Sequence, residues 1–226
     1  NFSYGPKQVF FDVNLAIQKN KSIGIVGESG AGKTTMFDII TGLLTPQSGK
    51  ISIDGIDYSE LELSSLRNII GYVTQEPVIF NDTIANNMSF WECDSQEDIC
   101  RKRIENAAIL ANCDKFVNET ENGYDTVIGD RGVKLSAGQR QRIAIAREIF
   151  KEPEIIIFDE ATSALDTESE QLIQQSINSL KGERTIMIIA HRLSTVRNCD
   201  YIYVLNKGRI VEEGSFDDLY GDKNSR

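Results

Sequence analysis

The fold of this chain is decided by the stretch Gly27-Glu28-Ser29-Gly30-Ala31-Gly32-Lys33-Thr34. The run before it, Ser22-Ile23-Gly24-Ile25-Val26, is typical of a strand buried on both faces of a parallel sheet. A helix is predicted after it, from Thr35 to Leu43. Glycines between a strand and a helix let the backbone bend so that its N–H groups point inward at an anion. The sequence therefore predicts an α/β domain with an anion-binding loop at the end of a buried strand.

The same stretch fits the phosphate-binding pattern G-x-x-x-x-G-K-[ST], known as the P-loop. In such a loop the backbone amides and the helix N-terminus attract phosphate, Lys33 lies near the β- and γ-phosphates, and the Thr34 hydroxyl can ligate Mg²⁺. A glycine-rich turn without a ligand is the alternative, but the strand and helix on either side favour phosphate. The predicted ATP-binding residues here are Gly27, Glu28, Ser29, Gly30, Ala31, Gly32, Lys33, Thr34 and Thr35.

A second polar site is predicted where the apolar run Ile155-Ile156-Ile157-Phe158 ends in Asp159 and Glu160. In open α/β sheets, ligands bind at the carboxyl ends of the strands. Asp159 is expected to hold Mg²⁺ through water, and Glu160 to polarise the water that attacks the γ-phosphate. A strand end that merely needs solvation is the alternative, which the P-loop makes less favourable because it requires an acidic partner.

Strands and helices alternate along the rest of the chain, which is typical of a sheet covered by helices. Further strands are predicted at Thr185 to Ile189 and Tyr201 to Leu205, and a hairpin turn at Asp54-Gly55. The pattern is helical from about residue 83 to 120. A helix capped by Ser136 should end at Lys151-Glu152-Pro153, and Thr167-Glu168-Ser169-Glu170 reads as a capping box before another helix.

We therefore predict a P-loop core with a mixed or parallel sheet, an antiparallel β subdomain and an inserted helical subdomain. The core and β subdomain are assigned to about residues 1–75 and 153–226, and the helical subdomain to about 76–152. The expected domain covers residues 1–226 as one ATPase unit.

The composition excludes several kinds of protein. The 226 residues carry a formal net charge of −10, which argues against a nucleic-acid surface because phosphate contacts need clustered Lys and Arg. The apolar runs are far shorter than the roughly 20 residues that cross a bilayer. Cys93, Cys100, Cys113 and Cys199 fit no zinc spacing, and we expect scattered thiols in a reducing cytosol.

The stretch Leu135-Ser136-Ala137-Gly138-Gln139 resembles the signature motif of ABC ATPases, usually LSGGQ, with Ala137 in place of the first glycine. From the residues alone, Ser136 is a natural N-cap, and the amides of the first turn form an anion site. An ordinary capped helix is the alternative. The resemblance implies a head-to-tail dimer, in which ATP lies between the P-loop of one chain and residues 135–139 of the other.

Other positions match the same family in order along the chain, and their roles are implied by the resemblance. Tyr4 is similar to the aromatic residue that stacks on adenine, and Gln75 to the glutamine that contacts Mg²⁺ and senses the transport unit. His191 is similar to the histidine that contacts the γ-phosphate and holds Glu160 and the attacking water. The segment along the dimer interface, called the D-loop, is matched by Ser163, Ala164, Leu165 and Asp166.

The segment Thr126 to Gly132 resembles the X-loop of exporters, with departures that include Val127. The resemblance implies a transmembrane domain attached on the N-terminal side of residue 1, and a second ATPase domain that is identical or related. It places the domain at the cytoplasmic face of a membrane, expected to be a bacterial inner membrane. The transported substrate stays open among lipid, glycolipid, peptide and drug.

Besides a generic P-loop kinase, which the signature motif and the absence of acceptor-binding features disfavour, two other classes remain as alternatives. One is an ABC-type ATPase that acts on nucleic acid or ribosomes, disfavoured by the negative charge and the lack of coiled-coil insertions. The other is a regulatory module that binds nucleotide without hydrolysing it, disfavoured by Glu160 and His191.

Overall fold

The computed structural model describes residues 1–162, 165–190 and 193–220. The strands in these ranges are β1 (Phe2–Tyr4), β2 (Lys7–Phe10), β3 (Ser22–Val26), β4 (Ser52–Ile53), β5 (Ile56–Asp57), β6 (Ile70–Val73), β7 (Ile155–Asp159), β8 (Thr185–Ala190), β9 (Tyr201–Asn206) and β10 (Arg209–Gly214). The helices are α1 (Lys33–Ile40), α2 (Leu63–Asn68), α3 (Ile84–Ser89), α4 (Asp98–Leu110), α5 (Asp114–Asn118), α6 (Ala137–Phe150), α7 (Thr167–Ser179), α8 (Leu193–Val196) and α9 (Phe216–Tyr220).

Six of these strands form one sheet in the order β10-β9-β3-β8-β7-β6. The pairs among β9, β3, β8, β7 and β6 are parallel, and β10 is antiparallel to β9. Strands β1 and β2 pair separately, as do β4 and β5, both antiparallel. The carboxyl ends of β3, β6, β7 and β8 therefore meet at one edge, where open α/β sheets bind ligands. The predicted mixed sheet with an antiparallel β part is confirmed.

The central strands are buried on both faces, as their unbroken apolar runs predict. Along β8, Ile186 and Ile188 pack with α3, α4, α6 and α7, while Met187 and Ile189 pack with α1 on the other face. This alternation follows from the two-residue repeat of side chains along a strand. The P-loop helix α1 and the helices between residues 84 and 150 thus lie on opposite faces of the sheet.

Two predicted local elements are confirmed by their backbone geometry. The β4–β5 hairpin turns at Asp54 and Gly55, whose φ angles are 48° and 85°, as a two-residue turn with left-handed residues requires. Ser136 caps α6, and the helix stops at Phe150 before Pro153.

Other predicted boundaries are wrong by a few residues. Helix α1 begins at Lys33 rather than Thr35 and ends at Ile40 rather than Leu43. It ends early because Gly42 takes a left-handed conformation and the Leu44 amide donates to the Asp38 carbonyl oxygen at 2.9 Å. Strands β7, β8 and β9 each run one residue further than predicted.

The capping box predicted at Thr167-Glu168-Ser169-Glu170 is also wrong. Helix α7 begins at Thr167, and its N-cap is Asp166, whose Oδ1 accepts from the Ser169 amide at 2.9 Å. Asp is a strong N-cap residue, and it precedes the helix by one position, which is why the cap lies earlier than predicted.

The cysteines depart from the prediction of scattered thiols. Cys93 and Cys100 form a disulfide across seven residues, with Cα atoms 6.1 Å apart, while Cys113 and Cys199 are buried thiols. The loop before α4 folds back on the first turn of that helix, and this brings the two residues together. Among the described helices, none is long and apolar enough to span a bilayer.

Candidate functional site

The predicted phosphate loop follows β3 and leads directly into α1. A Cβ on Gly27 would lie 2.3 Å from the Leu205 carbonyl oxygen of β9, so the chain leaves the sheet here only with glycine. Gly32, at a φ of 107°, precedes α1 and has no side chain that could accept from its first amides. The start of this helix is therefore formed by backbone donors, which is a favourable environment for phosphate.

Lys33 is held against this loop by its own backbone. Its side-chain Nζ donates to the Gly27 carbonyl oxygen at 2.8 Å and to that of Glu28 at 3.0 Å. The residue is 5% exposed. Burial lowers the pKa of Lys33, while the charges of Glu160 and Asp159 oppose that shift. The ammonium group therefore lies close to both carboxylates that were predicted at the end of β7.

The loop forms one wall of a cleft with a volume of about 490 Å³. Tyr4 and Glu160 line the same cleft, so the structure brings together three separately predicted parts of the site. Tyr4 is 48% exposed, and its ring meets the buried Phe2 ring edge to face at 4.9 Å. An exposed aromatic ring that a buried neighbour holds in place is suited to stacking on a flat ligand group.

Further residues of this cleft were missed by the sequence reasoning. They come from β2, from the segment after it and from the β9–β10 turn: Lys7, Gln8, Val9, Phe11, Lys207 and Gly208. A Cβ on Gly208 would lie 1.8 Å from the Val9 carbonyl oxygen, and the Phe11 amide donates to the Gly208 carbonyl oxygen at 2.9 Å. No short motif signals these residues, because the two segments lie about 200 residues apart and only the docking of the small sheet joins them.

Asp159 ends β7 and Glu160 follows it, and the two residues lie in different environments. The Tyr72 hydroxyl of β6 donates to Asp159 Oδ2 at 2.8 Å. Burial raises the pKa of Asp159, the Tyr72 bond opposes this, and the Glu160 charge adds to it. Burial and the Asp159 carboxylate in turn raise the pKa of Tyr72, so its hydroxyl keeps its proton. Glu160 has a left-handed backbone, and its amide donates to the Ile189 carbonyl oxygen at 3.2 Å.

Gln75 lies just after β6, in an exposed loop at the same edge of the sheet. The neighbouring carbonyl oxygen of Thr74 accepts from Gln141 Nε2 at 3.0 Å. Helix α6 therefore contacts this loop directly, through Gln141 in its second turn.

The predicted signature residues lie at the start of α6 and form a complete capping box. Ser136 Oγ accepts from the Gln139 amide at 3.2 Å, and Gln139 Oε1 accepts from the Ser136 amide at 2.8 Å. Leu135 is buried, whereas the Ala137 methyl is exposed. Among the described residues, none of 135–139 lines the cleft of the P-loop. One chain therefore carries two helix starts that are predicted to bind phosphate, and they do not share a cleft.

The packing around Gly138 explains why this residue is glycine. A Cβ at this position would lie 2.1 Å from Ser169 Oγ and 2.5 Å from Ser169 Cβ, so α6 and α7 pack too closely for any side chain. Ser169 is fixed in turn by Asp166, which accepts from its amide and its hydroxyl. The predicted D-loop thus borders the predicted signature through Asp166.

Some predicted residues lie outside the described part of the chain. These are His191 and, in the D-loop, Ser163 and Ala164. Leu165 is partly buried against the core, and Asp166 is exposed. The predicted X-loop has Val127 exposed, with its carbonyl oxygen accepting from Lys134 Nζ at 3.0 Å.

The donors near the cleft fit Mg²⁺ in kind. Thr34 is exposed in the first turn of α1, and Asp159 lies beside the loop, so the available ligand atoms are hydroxyl and carboxylate oxygens. Within the described ranges, no group of three or more His, Cys, Asp or Glu side chains could hold a metal. Mg²⁺ does not need such a group, since it is usually bound by one or two carboxylates together with substrate phosphates and water.

Comparison with known proteins gives one consistent result. Residues 10–163 match the family described as ABC transporter. The chain is 48% identical over 217 residues to an ATP-dependent lipid A-core flippase of Pectobacterium atrosepticum, covering 95% of this chain and 37% of that protein. It is 44% identical over 225 residues to ABC transporter B family member 21 of Arabidopsis thaliana, covering 98% of this chain and 17% of that protein.

Among solved structures, the fold matches a bacterial Atm1-family ABC exporter with ATP bound. The TM-score is 0.87 at 39% identity, over 100% of this chain and 39% of the exporter chain. The chain spans between 17% and 38% of the length of the curated relatives it matches.

Proposed function

This chain belongs to the ABC transporter family, and on that premise we propose that it is the ATP-hydrolysing domain of an exporter. In this proposal it binds Mg-ATP at a head-to-tail dimer interface. The closure and opening of that dimer drive export or flipping of a substrate through an attached transmembrane domain. The names of the flippase and exporter relatives support this function over a role on nucleic acid or ribosomes.

The proposed ATP site follows the cleft. Tyr4 stacks on adenine, and the amides of residues 27–35 surround the phosphates. Lys33, already held beside the loop by two carbonyl oxygens, places its charge near the β- and γ-phosphates. Thr34, Gln75 and Asp159 would hold Mg²⁺, with Asp159 acting through water. When bound, this ion neutralises developing charge on the phosphates.

Glu160 is the proposed catalytic base. It lines the cleft and follows β7 directly, so its carboxylate can accept a proton from a water near the γ-phosphate. His191, by resemblance to the family, is proposed to contact the γ-phosphate and orient this water.

The dimer is proposed from one observation above the others. The capped start of α6 is a second site suited to phosphate, and it does not line the cleft of its own P-loop. In a twofold pair, each chain would supply Ser136, Ala137, Gly138 and their neighbours to the ATP bound by the other. The partner is a second ATPase domain, identical or related, and the D-loops run between the two.

The location follows from the same relationship. We place the domain at the cytoplasmic face of a membrane, beside the transmembrane part of its transporter, with a bacterial inner membrane as the expected one. Nucleic acid is not an expected partner, because the net charge is −10.

The decisive experiment measures ATPase rate against protein concentration, for the wild type and for Glu160→Gln, together with ATP-dependent dimerisation by sedimentation. We expect a wild-type rate that rises faster than linearly. Glu160→Gln should lose about 10²- to 10⁴-fold in rate, as expected for a general base, and should dimerise on Mg-ATP. The matched control is Glu183→Gln, which changes an exposed carboxylate before β8 and should behave as wild type.

A rate strictly proportional to protein concentration, with no dimer of Glu160→Gln, would contradict the composite site. In that case a self-contained P-loop ATPase would remain.

A further inference from the structure

Tyr72 has no role in the proposed mechanism, although it contacts Asp159, the carboxylate that is proposed to hold Mg²⁺ through water. It is in the edge strand β6, where its Cα pairs with that of Ile157 in β7. Asp159 lies two positions further along β7, so its side chain is on the same face of the sheet as that of Ile157. The Tyr72 ring reaches along the strands to this carboxylate and donates its hydroxyl to Oδ2 at 2.8 Å.

This bond restricts a side chain that otherwise turns easily. Rotation about the last bond of an aspartate is broad and nearly twofold, so either oxygen can face a ligand. With Oδ2 accepting from Tyr72, Oδ1 is left for other partners. Hydrogen bonds from a second layer of residues orient metal ligands in this way, and their loss typically lowers metal affinity.

The Tyr72 ring is only partly held by packing, because it is a half-buried side chain at the edge of the core around α1. One side of the ring borders a small cleft of about 170 Å³, which is also lined by Asp38, Thr41 and Arg67. A ring beside open space is held less firmly by packing than one in a closed core. The hydroxyl and the carboxylate therefore fix each other.

We propose that Tyr72 is a positioning residue for the metal site, which holds Asp159 Oδ2 so that Oδ1 faces Mg²⁺ or a water bound to it. This inference rests on the proposed function. It adds a residue from β6 to a site that is otherwise built from Thr34 in α1, Gln75 in the loop after β6 and Asp159 in β7.

The test compares Tyr72→Phe, which removes the hydroxyl and keeps the ring, with Tyr58→Phe as a matched control. Tyr58 is also a partly buried tyrosine, and its hydroxyl donates to the Ile40 carbonyl oxygen at 3.1 Å, away from the carboxylates. Both variants lose one phenol hydrogen bond, so they should be similar in thermal unfolding.

Two quantities are measured for each variant. The first is the Mg²⁺ concentration at half-maximal dimerisation in the Glu160→Gln background, at saturating ATP. The second is the affinity for a fluorescent ATP analogue in EDTA. For Tyr72→Phe we expect the Mg²⁺ midpoint to rise about 10-fold, as is typical when a second-layer partner of a metal ligand is lost. Affinity without metal should stay unchanged, and Tyr58→Phe should alter neither quantity.

The inference is overturned if the Mg²⁺ midpoint of Tyr72→Phe equals that of the Glu160→Gln background alone, or moves no further than that of Tyr58→Phe in the same background. A background protein that neither binds the ATP analogue nor responds to Mg²⁺ would instead overturn the proposed function.

Discussion

Glu160 shows how much one residue depends on its surroundings. Its φ of 49° lies in the left-handed region, which is uncommon for a residue other than glycine, asparagine or aspartate. The hydrogen bond from the Glu160 amide to the Ile189 carbonyl oxygen ties this conformation to β8. Backbone strain of this kind costs about 1–3 kcal/mol and concentrates at functional sites. The geometry at Glu160 is therefore compatible with its proposed role as the base.

Tyr4 carries a prediction at the same scale. If its exposed ring stacks on adenine, Tyr4→Ala should weaken ATP binding by roughly 10-fold or more, since stacking on a base contributes about 1–3 kcal/mol. Tyr4→Phe should keep most of the affinity because the ring remains. The measurement is the dissociation constant of a fluorescent ATP analogue.

A matched control for Tyr4 is available in β9. Tyr201 is also exposed, and its ring meets that of Tyr203 edge to face at 5.1 Å, much as Tyr4 meets Phe2. Tyr201→Ala should leave ATP affinity unchanged. If both alanine variants weaken binding equally, the change reflects stability of the fold and not stacking.

At the scale of elements, the contact between α6 and α7 leaves no room for a side chain at Gly138. Gly138→Ala should destabilise the protein by about 1–3 kcal/mol, because its Cβ has no room beside Ser169 and the helices must separate. The measurement is the free energy of unfolding from denaturant titration.

The cause is isolated by a double-mutant cycle with Ser169→Gly, which removes both atoms that the new methyl would meet. In that background Gly138→Ala should cost clearly less than in the wild type. An equal cost in both backgrounds would show that the close approach of the helices is not the reason for glycine.

Position 137, just before Gly138, does have room for a side chain. Ala137 departs from the family motif, but its methyl points to solvent at the first position of α6. A small side chain is tolerated there within one chain, so any effect of the departure is expected at the dimer interface.

At the scale of the whole molecule, that exposed position allows the two halves of the proposed site to be separated. Ala137→Asp places a negative charge at the start of α6, which favours the helix but repels a partner's phosphate. Lys33→Ala removes the positive charge from the P-loop half of the site. Each variant alone should be inactive, and an equal mixture should recover about a quarter of the wild-type rate, because half of the dimers then contain one intact site of two.

The control is Ala137→Ser, which is neutral and should stay active alone. Sedimentation checks that the two variant chains still form dimers in the mixture. If they do and the mixture of Lys33→Ala and Ala137→Asp remains inactive, residues 135–139 are not supplied in trans.

Much of this architecture is visible in local sequence. The P-loop, the strand that ends in Asp159 and the cap at Ser136 each depend on residues within one strand, turn or helix. The limits of α1 and the cap of α7 were predicted less well, because an Asp cap or a left-handed glycine shifts a boundary without changing the hydrophobic repeat. The Cys93–Cys100 disulfide was also missed, since pairing depends on how the loop before α4 folds back.

By itself, then, the sequence determined which segments form the buried sheet and which are candidates to bind phosphate, because hydrophobic periodicity, glycine and capping act between neighbours along the chain. The tertiary structure decided what those segments meet. Tyr72 reaches Asp159 across 87 residues, and Gly208 meets Val9 across nearly the whole chain. Contacts of this kind are set by strand order and by the packing of distant segments, which no local pattern encodes.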